Sequence, residues 1–263
     1  MEPIAFAFFA YSFLTAEPVK YQMSLQLEGD LPLVKWTKGV STVGVEFEVT
    51  GKAGDNGNRA ATHKLTKFES TLNGSKLPFT LANVAAFFPE TSITFEPGGK
   101  ILSTNAPKKS MPNAIPGFDA QRFPEMSYLP IEFPKNIDQL GFQWEFERIL
   151  GDAPMKTKAK LAKVNKGETC TIEFTLSQSV TTYENEGQKS VPKESAEFEV
   201  KTESSGVGVA EFSATGYLTK LNLKMTSKTV GRGIRIDQVF ERNLNSELKI
   251  QCLNAPKLRS KGV

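Results

Sequence analysis

Few side chains in this sequence could carry out acid–base chemistry. His63 is the only histidine, so Ser-His-Asp or Cys-His catalysis, which needs an imidazole to accept the proton of the nucleophile, would depend on it. Thr62 and Lys64 flank His63, and the chain has no nucleophile elbow of the Gly-x-Ser-x-Gly type. We therefore predict a surface or strand-end histidine with no catalytic role.

Metal and phosphate sites are not predicted either. A zinc site takes three or four Cys, His or carboxylate ligands, whereas Cys170 and Cys252 are 82 positions apart and neither has a histidine close in sequence. Residues 55–58 lack the spaced ligands of a calcium loop. Gly206 and Gly208 lack the third glycine and the following helix of a phosphate-binding loop. The sequence thus predicts no metal and no cofactor.

Paired carboxylates are the remaining option for catalysis, as in glycoside hydrolysis. The candidates are glutamates in the polar positions of alternating segments: Glu46, Glu48, Glu145, Glu147 and Glu173. Glutamates are expected on the solvated face of a sheet without any catalytic role. No cleft of tryptophans and tyrosines for sugar stacking is indicated, so a hydrolase ranks behind two non-enzymatic hypotheses.

The segments that must position these residues alternate between apolar and polar side chains, which is typical of half-buried strands. The clearest runs are residues 21–28, 43–50, 142–146, 172–176, 196–200 and 221–225. Helical spacing is confined to residues 77–88 and 243–248, and the latter is interpreted as a bend between strands. Asn73-Gly74 favours a tight type I′ hairpin. We predict an all-β fold, a large curved antiparallel sheet or half-barrel with at most one or two short helices.

Two strand-turn-strand segments of the sequence resemble each other. Residues 93–102 and 210–219 each place a phenylalanine, Phe95 or Phe212, before a turn, a glycine and a further apolar position. One interpretation is an internal duplication, with Phe95 and Phe212 in near-equivalent places; the other is chance similarity between period-two segments. Further matches are residues 25–28 with 142–145 and residues 45–49 with 172–176.

A proline-rich stretch separates the two halves, and its prolines cannot lie inside central strands. They are Pro107, Pro112, Pro116, Pro124, Pro130 and Pro134. Apolar residues such as Phe123 and Tyr128 accompany them, so the stretch is expected to pack on the sheet, either as a strap that closes the core or as a lid over a cavity. The predicted organisation is a first β half over residues 17–105, the strap or lid over 106–139, a second β half over 140–256 and a basic tail over 257–263.

The first sixteen residues of the sequence bear on where the protein is located in or outside the cell. Residues 4–16 form a mostly apolar run, too short to cross a bilayer as a helix and suited to the h-region of a secretory signal. We predict a signal peptide over residues 1–16 and a secreted or periplasmic protein; the alternative is a first buried element of the domain. In an exported chain Cys170 and Cys252 invite one disulfide, and two buried free thiols are the alternative.

The charge of the chain is nearly balanced. It has 32 basic and 29 acidic residues, a formal net charge of +3, so no nucleic-acid footprint is visible. Part of the surplus lies in the tail, at Lys257, Arg259 and Lys261. Peripheral contact of this tail with an anionic cell envelope is one interpretation, and a solvated terminus is the other.

Two short motifs carry a resemblance to known proteins. The Gly141-x-x-Trp144 strand and the hairpin that ends in Gly216-x-Leu218 resemble uncharacterised bacterial exported proteins of unknown function, over roughly residues 127–229. Such proteins are distantly similar to the lipoprotein-carrier half-barrels of the bacterial envelope, in which a curved antiparallel sheet wraps an apolar cavity. The resemblance implies a lipid or another apolar small molecule as partner and brings no catalytic residues.

The leading hypothesis is a non-enzymatic exported or envelope protein that binds or shields an apolar ligand on the concave face of its sheet. A structural or interaction module with a solid core is the alternative. The ligand-facing candidates are large aromatic side chains in the apolar positions of the strands, which could equally be core: Phe47, Phe95, Trp144, Phe146, Phe174 and Phe212.

Overall fold

The computed structural model describes residues 9–32, 36–107, 120–137, 139–150, 153–165, 168–185, 191–235 and 237–254. Strands dominate these residues: β1 (Val19–Pro32), β2 (Trp36–Ala53), β3 (Arg59–Leu72), β4 (Ser75–Lys76), β5 (Thr91–Phe95), β6 (Ile101–Thr104), β7 (Gln143–Leu150), β8 (Ala153–Asn165), β9 (Thr169–Glu184), β10 (Phe198–Ser213), β11 (Leu218–Gly233) and β12 (Val239–Cys252). The α-helices described are short: α1 (Leu81–Ala85) and α2 (Phe123–Met126). None of the helices in the described ranges is long and apolar enough to cross a membrane. The predicted all-β fold is confirmed.

The twelve described strands form one open antiparallel sheet. Their order is β6-β5-β3-β2-β1-β12-β11-β10-β9-β8-β7, and β4 pairs with β3. The chain starts at the centre with β1, meanders to the β6 edge, crosses to the β7 edge and meanders back until β12 pairs with β1. Residues 243–248 are not the predicted bend, because each of them pairs with β11 inside an uninterrupted β12.

Local sequence signals produce the tight turn and the first helix. Asn73 and Gly74 join β3 to β4 with φ values of +50° and +79°, as the predicted type I′ turn requires at both central residues. The helix α1 lies within residues 77–88, and its first turn is capped because the N–H of Asn83 donates to the Thr80 hydroxyl (3.4 Å).

Alternation along the strands gives the sheet two chemically different faces. On the inner face Tyr21, Met23 and Leu25 of β1 lie beside Ile250 and Leu248 of β12, and all are buried. The outer face is polar and carries Lys–Glu ion pairs such as Lys20–Glu48, Lys67–Glu46, Lys158–Glu145 and Lys224–Glu247. Exposed pairs of this kind contribute about 0–1 kcal/mol each. Burial of the inner face is therefore the main stabilising term.

The sheet is strongly curved, as two hydrogen bonds of the segment before β1 demonstrate. The N–H of Tyr11 donates to the carbonyl of Pro97 after β5 (2.7 Å), and the N–H of Ser12 donates to the carbonyl of Gly216 after β10 (2.6 Å). β5 and β10 are six strand spacings apart, about 29 Å along the sheet, whereas adjacent Cα atoms are about 3.8 Å apart. The sheet therefore curls until these two turns nearly meet at one end of the molecule.

These two turns belong to the similar segments of the sequence. β5 and β6 are the fourth and fifth strands along the sheet in the first half, and β10 and β11 are the fourth and fifth in the second. Phe95 and Phe212 are both buried and lie at a register shift before the turn. Each also contacts an aromatic ring of the segment before β1 (residues 9–18, the N-terminal segment): Phe95 contacts Phe13, and Phe212 contacts Tyr11. The two phenylalanines occupy equivalent places, as predicted.

Only one of the other sequence matches joins equivalent strands. Residues 25–28 and 142–145 fall on β1 and at the start of β7, the first strand of each half. Residues 45–49 lie on β2, the second strand of its half, whereas residues 172–176 lie on β9, the third. This second match reflects the shared period of two and not an equivalent position.

The described part of the proline-rich stretch, residues 120–137, bridges the two edges of the sheet, and we refer to it as the strap. Near the first edge the N–H of Phe133 donates to the carbonyl of Gly98 (2.8 Å). At the second edge Trp144 Nε1 of β7 donates to the carbonyl of Glu132 (2.7 Å). The large side chains that the strap buries are those of Phe123, Tyr128, Leu129, Ile131, Phe133 and Ile137. The strap therefore fills the gap between β6 and β7.

Residues 9–16, the end of the predicted signal peptide, are packed into the core in this structure. Phe9, Tyr11 and Phe13 are buried, and the phenol of Tyr11 donates to the carbonyl of Ile131 on the strap (3.0 Å). Such burial is what the alternative, a first buried element of the domain, expects, and the signal peptide stays a prediction. Residues 1–8 and the basic tail lie outside the described residues.

Cys170 and Cys252 are free thiols, so the candidate disulfide is not formed. Cys170 lies on β9 and Cys252 at the end of β12, three strand spacings apart in the sheet. That separation is about 14 Å, whereas a disulfide requires a Cα separation of about 4.4–6.8 Å. Burial raises the pKa of the Cys170 thiol to about 12, with a smaller opposing effect of a backbone hydrogen bond. This thiol is an apolar core side chain.

Candidate ligand-binding site

A cavity of about 410 Å³ lies on the concave face, between the strap and the sheet. Its sheet wall comes from β1 and from β7 to β12, and its other wall is formed by Arg122, Glu125, Met126 and Pro130 of the strap. Small-molecule sites have volumes of about 300–1,000 Å³ and mostly apolar walls. The cavity is therefore large enough for a small organic ligand.

The sheet wall is apolar because the inward positions of its strands carry leucine, methionine and phenylalanine. Cross-strand pairing sets Leu223 of β11 beside Leu248 of β12. Leu221 and Leu248 are buried, whereas Leu223, Met225 and Leu244 are half-buried. The cavity thus runs from a partly exposed rim to an apolar floor.

Glycines on β10 make room for the side chains of the floor. Gly208 pairs with Phe174 on one side and with Leu223 on the other. The Phe174 ring lies across it, so a Cβ at this position would collide with the ring. A Cβ at Gly206 would likewise lie 2.6 Å from Cγ of Met225. Glycine within a strand marks such a close approach, and here it leaves room for the Phe174 and Met225 side chains, which line the cavity.

The strap wall carries a buried ionic network around Arg148 of β7. Its Nε lies 2.8 Å from Oε1 of Glu132, and its Nη1 and Nη2 donate to the carbonyls of Leu129 (2.6 Å) and Gly99 (3.3 Å). Glu125 Oε1 lies 4.0 Å from the same Nε. Burial raises the pKa of the Glu125 carboxyl, and the nearby arginines act in the opposite direction. Arg148 therefore joins β7, the strap and the turn after β5.

Two of the six aromatic candidates lie at the cavity. Phe146 of β7 and Phe174 of β9 line it, and the guanidinium of Arg148 sits 5.2 Å from the centroid of the Phe146 ring. Phe174 is buried and belongs to the floor, whereas Phe146 is half-buried near the rim. These two positions combine an apolar contact surface with access from the cavity.

The other four candidates lie in the packed part of the core, beneath the strap and the N-terminal segment. They are Phe47, Phe95, Trp144 and Phe212, and all are buried. Their ring partners include Phe123 for Phe47 (5.0 Å between centroids), Phe13 for Phe95 (6.3 Å), and Phe133 for Trp144 (6.2 Å) and Phe212 (5.1 Å). The strap covers this area, so these side chains do not line the cavity.

The prediction that His63 lies at the surface or at a strand end is wrong. It lies on β3 with 3% of its area exposed, and its Nδ1 forms a 2.9 Å hydrogen bond with the phenol of Tyr128 on the strap. The ring of Phe123 packs 5.2 Å away. The prediction fails because strap residues 65 positions away in the sequence cover this position. The arrangement gives His63 a structural role in holding the strap to the first half of the sheet.

Most of the cavity wall is aliphatic, and the sequence-based prediction missed it because it selected aromatic residues. Leu223, Met225 and Leu244 occupy apolar positions of β11 and β12, so the period-two pattern does indicate that they face inward. It does not indicate which inward residues stay uncovered, since that depends on the path of the strap. Arg122 and Glu125 carry no sequence signal at all.

Within the described ranges no group of three potential metal ligands comes together.

Comparison with known proteins identifies a related fold and no family. No protein-family profile and no curated protein sequence matches the chain. A solved structure of lipovitellin, concerned with its lipid–protein interactions, superposes with a TM-score of 0.55 at 11% identity, covering 96% of this chain and 26% of the lipovitellin chain. The chain thus spans about a quarter of that protein, and the likeness concerns the fold alone. A mutant Rh. blastica porin aligns over 89% of this chain and 99% of its own, with 8% identity and a TM-score of 0.24, too low to indicate a shared fold.

Proposed function

We propose that this protein is a non-enzymatic binding protein that holds a lipid or another apolar small molecule on the concave face of its sheet. One observation carries the proposal: an apolar cavity of about 410 Å³ is left beside an otherwise closely packed core. The similarity of the fold to lipovitellin, whose structure concerns lipid–protein interactions, supports the same class of ligand.

The half-buried side chains of the wall are the physical reason for binding. Leu223, Met225 and Leu244 are each partly exposed to solvent. An acyl chain bound against them would bury its own methylenes and the exposed parts of these side chains. Each buried methylene contributes about 0.8 kcal/mol, whereas association costs at least about 4 kcal/mol. A ligand therefore has to bring a chain of many methylenes, which the apolar floor at Leu221 and Leu248 accommodates.

The first experiment asks whether the purified protein binds an apolar molecule at all. Native mass spectrometry and solvent extraction identify any molecule that copurifies. The delipidated protein is then titrated with Nile red, an uncharged lipophilic dye whose fluorescence rises in apolar surroundings. We expect saturable binding of one dye per chain. Absence of both copurified ligand and dye binding would instead favour the structural or interaction module.

A matched pair of variants tests whether the cavity is the site. Leu223→Arg introduces a charge at the half-buried rim, where its long side chain can reach solvent while the cavity is obstructed. Val207→Arg introduces the same charge on the outer face of neighbouring β10, where Val207 is 61% exposed. We expect at least a tenfold loss of Nile red affinity in the first variant and no change in the second, with urea unfolding confirming that both fold. Equal dye affinity in the two folded variants would place the dye elsewhere and refute the proposed site.

A further inference from the structure

The uncharged polar groups at the cavity form a band across one rim. Ser204 of β10 pairs with Ser227 of β11, and their hydroxyl oxygens are 2.8 Å apart. Two residues further along each strand, just beyond the residues that line the cavity, the hydroxyls of Thr202 and Thr229 are 2.9 Å apart. Ser246 of β12 lies opposite Met225 and also lines the cavity. We call these five residues the hydroxyl band.

The hydroxyl band can serve a ligand that both donates and accepts hydrogen bonds. Each hydroxyl has one donor and two acceptor lone pairs. In the Ser204–Ser227 pair one O–H donates to the other oxygen, which leaves the second O–H and acceptor capacity on both oxygens. Gln178 of β9 is a further uncharged group of the wall. Alcohol and ester groups match this chemistry.

The charged side chains of the cavity wall are engaged with one another. Arg122 Nη1 lies 3.2 Å from Glu125 Oε2, and Arg148 is held by Glu132 at 2.8 Å and approached by Glu125 at 4.0 Å. Two cations thus face two anions. An ionic ligand group would have to displace one member and leave its buried partner uncompensated, which is strongly unfavourable.

The charge beyond the hydroxyl band is paired as well. Arg242 of β12 has its Nη1 4.0 Å from Oε2 of Glu184, and its guanidinium lies 3.9 Å from the centroid of the Phe240 ring. An anionic group that reached past the band would compete with the Glu184 carboxylate for this guanidinium. The described surroundings of the cavity therefore favour neither sign of charge.

We infer that the ligand is a neutral acyl lipid, an ester or alcohol such as a monoacylglycerol, with its chain on the apolar floor and its head at the hydroxyl band. The inference rests on the proposed function and adds to it the chemistry of the head group. A neutral head exchanges hydrogen bonds with water for hydrogen bonds with the band. A carboxylate, phosphate or ammonium head would lose hydration without gaining a counter-charge.

The test is a competition between C16 amphiphiles that differ in the charge of the head. Delipidated protein carrying Nile red is titrated at about pH 8 with monopalmitoylglycerol, palmitate or hexadecyltrimethylammonium, each below its micellar concentration. We expect monopalmitoylglycerol to displace the dye at a concentration at least tenfold lower than either ion. Displacement by palmitate or by the ammonium at an equal or lower concentration overturns the inference and leaves the proposed function standing. Failure of Nile red to bind, together with the absence of any copurified ligand, removes the proposed function itself.

Paired hydroxyl variants locate the head group. Ser204→Ala combined with Ser227→Ala removes the inner pair, whereas Ser205→Ala combined with Thr226→Val removes the pair on the outer face of the same strands, whose oxygens are 3.4 Å apart. We expect the inner variant to need several-fold more monopalmitoylglycerol, with its preference over palmitate reduced, and the outer variant to match the parent protein. An undiminished preference in the inner variant contradicts a head group at the band.

Discussion

The burial of His63 makes a quantitative prediction about stability at mildly acidic pH. Its imidazole is 3% exposed and hydrogen-bonded to the Tyr128 phenol, and burial lowers the pKa of His63 from 6.5 to about 4. The folded protein therefore keeps this imidazole neutral where the unfolded chain protonates it. Replacing it with glutamine, His63→Gln, retains a polar group near Tyr128 and removes the titration.

The sign and the magnitude follow from proton linkage. Because the folded pKa lies below the unfolded one, the unfolded state binds more protons between them, and the stabilising contribution present above about pH 6.5 is lost as the pH falls toward 4. At about 1.4 kcal/mol per pH unit, the difference between the two pKa values of His63 corresponds to about 3 kcal/mol. About 2 kcal/mol of this should be lost between about pH 7.5 and pH 5.

The assay is urea unfolding of the parent protein and His63→Gln at both pH values. Carboxyl groups such as Glu125 titrate in both proteins, so the difference between their pH dependences isolates the histidine. We expect the parent protein to lose about 2 kcal/mol more of its free energy of unfolding than the variant over this interval. Parallel pH dependences in the two proteins would show that His63 titrates normally in the folded state, and would refute the buried His63–Tyr128 pair.

Three further predictions concern the strap and the ligand. Tyr11→Phe should lower the free energy of unfolding in urea by about 1–3 kcal/mol, because the backbone N–H and carbonyl of Ile131 both lose a buried partner. Arg148→Met should cost about 3–5 kcal/mol in the same assay, since it leaves Glu132 without its cation and removes one of the two arginines near the buried Glu125. For neutral monoacylglycerols, each pair of added methylenes should lower the Kd from Nile red displacement about 15-fold, from about 1.6 kcal/mol, until the cavity is full.

Each of these predictions has a control and a contradicting result. Tyr21→Phe removes a buried phenol that has no hydrogen-bond partner among the described residues, so it should be nearly neutral, and an equal loss in both tyrosine variants would argue against the Tyr11–Ile131 link. Lys158→Met breaks an exposed ion pair with Glu145 and should cost at most about 1 kcal/mol; a similar cost for Arg148→Met would mean that the network is solvated. Affinity independent of chain length would contradict burial of the acyl chain.

The sequence predicted which strand residues of the candidate site face inward. It did not predict which of these residues line a cavity. Phe174 and Phe212 are each an aromatic residue in an apolar position of a long strand. One lines the cavity and the other packs against Phe133 of the strap. The period-two pattern, which points both side chains inward, does not separate them, because the difference lies in what a distant segment covers.

Most of the strands, the Asn73-Gly74 turn and the two faces of the sheet could be predicted from the sequence. The reason is that these depend on neighbours one to four residues apart: side chains of a strand alternate between its faces, and Asn73-Gly74 adopts the positive φ values of its turn. The equivalent positions of Phe95 and Phe212 could also be predicted, because residues 93–102 and 210–219 carry the same local pattern of a phenylalanine, a turn and a glycine.

How far the sheet curls, where the strap runs and how much of a cavity remains could not be predicted from the sequence. These depend on contacts between residues that are far apart in sequence, such as Tyr11 with Ile131 and Ser12 with Gly216. Other long-range contacts bury His63 beneath Tyr128 and Phe123 of the strap and pair the charges around Arg148, and the strand order keeps Cys170 and Cys252 apart. Whether an inward side chain becomes core or meets a ligand is settled by the space that remains once those contacts have formed.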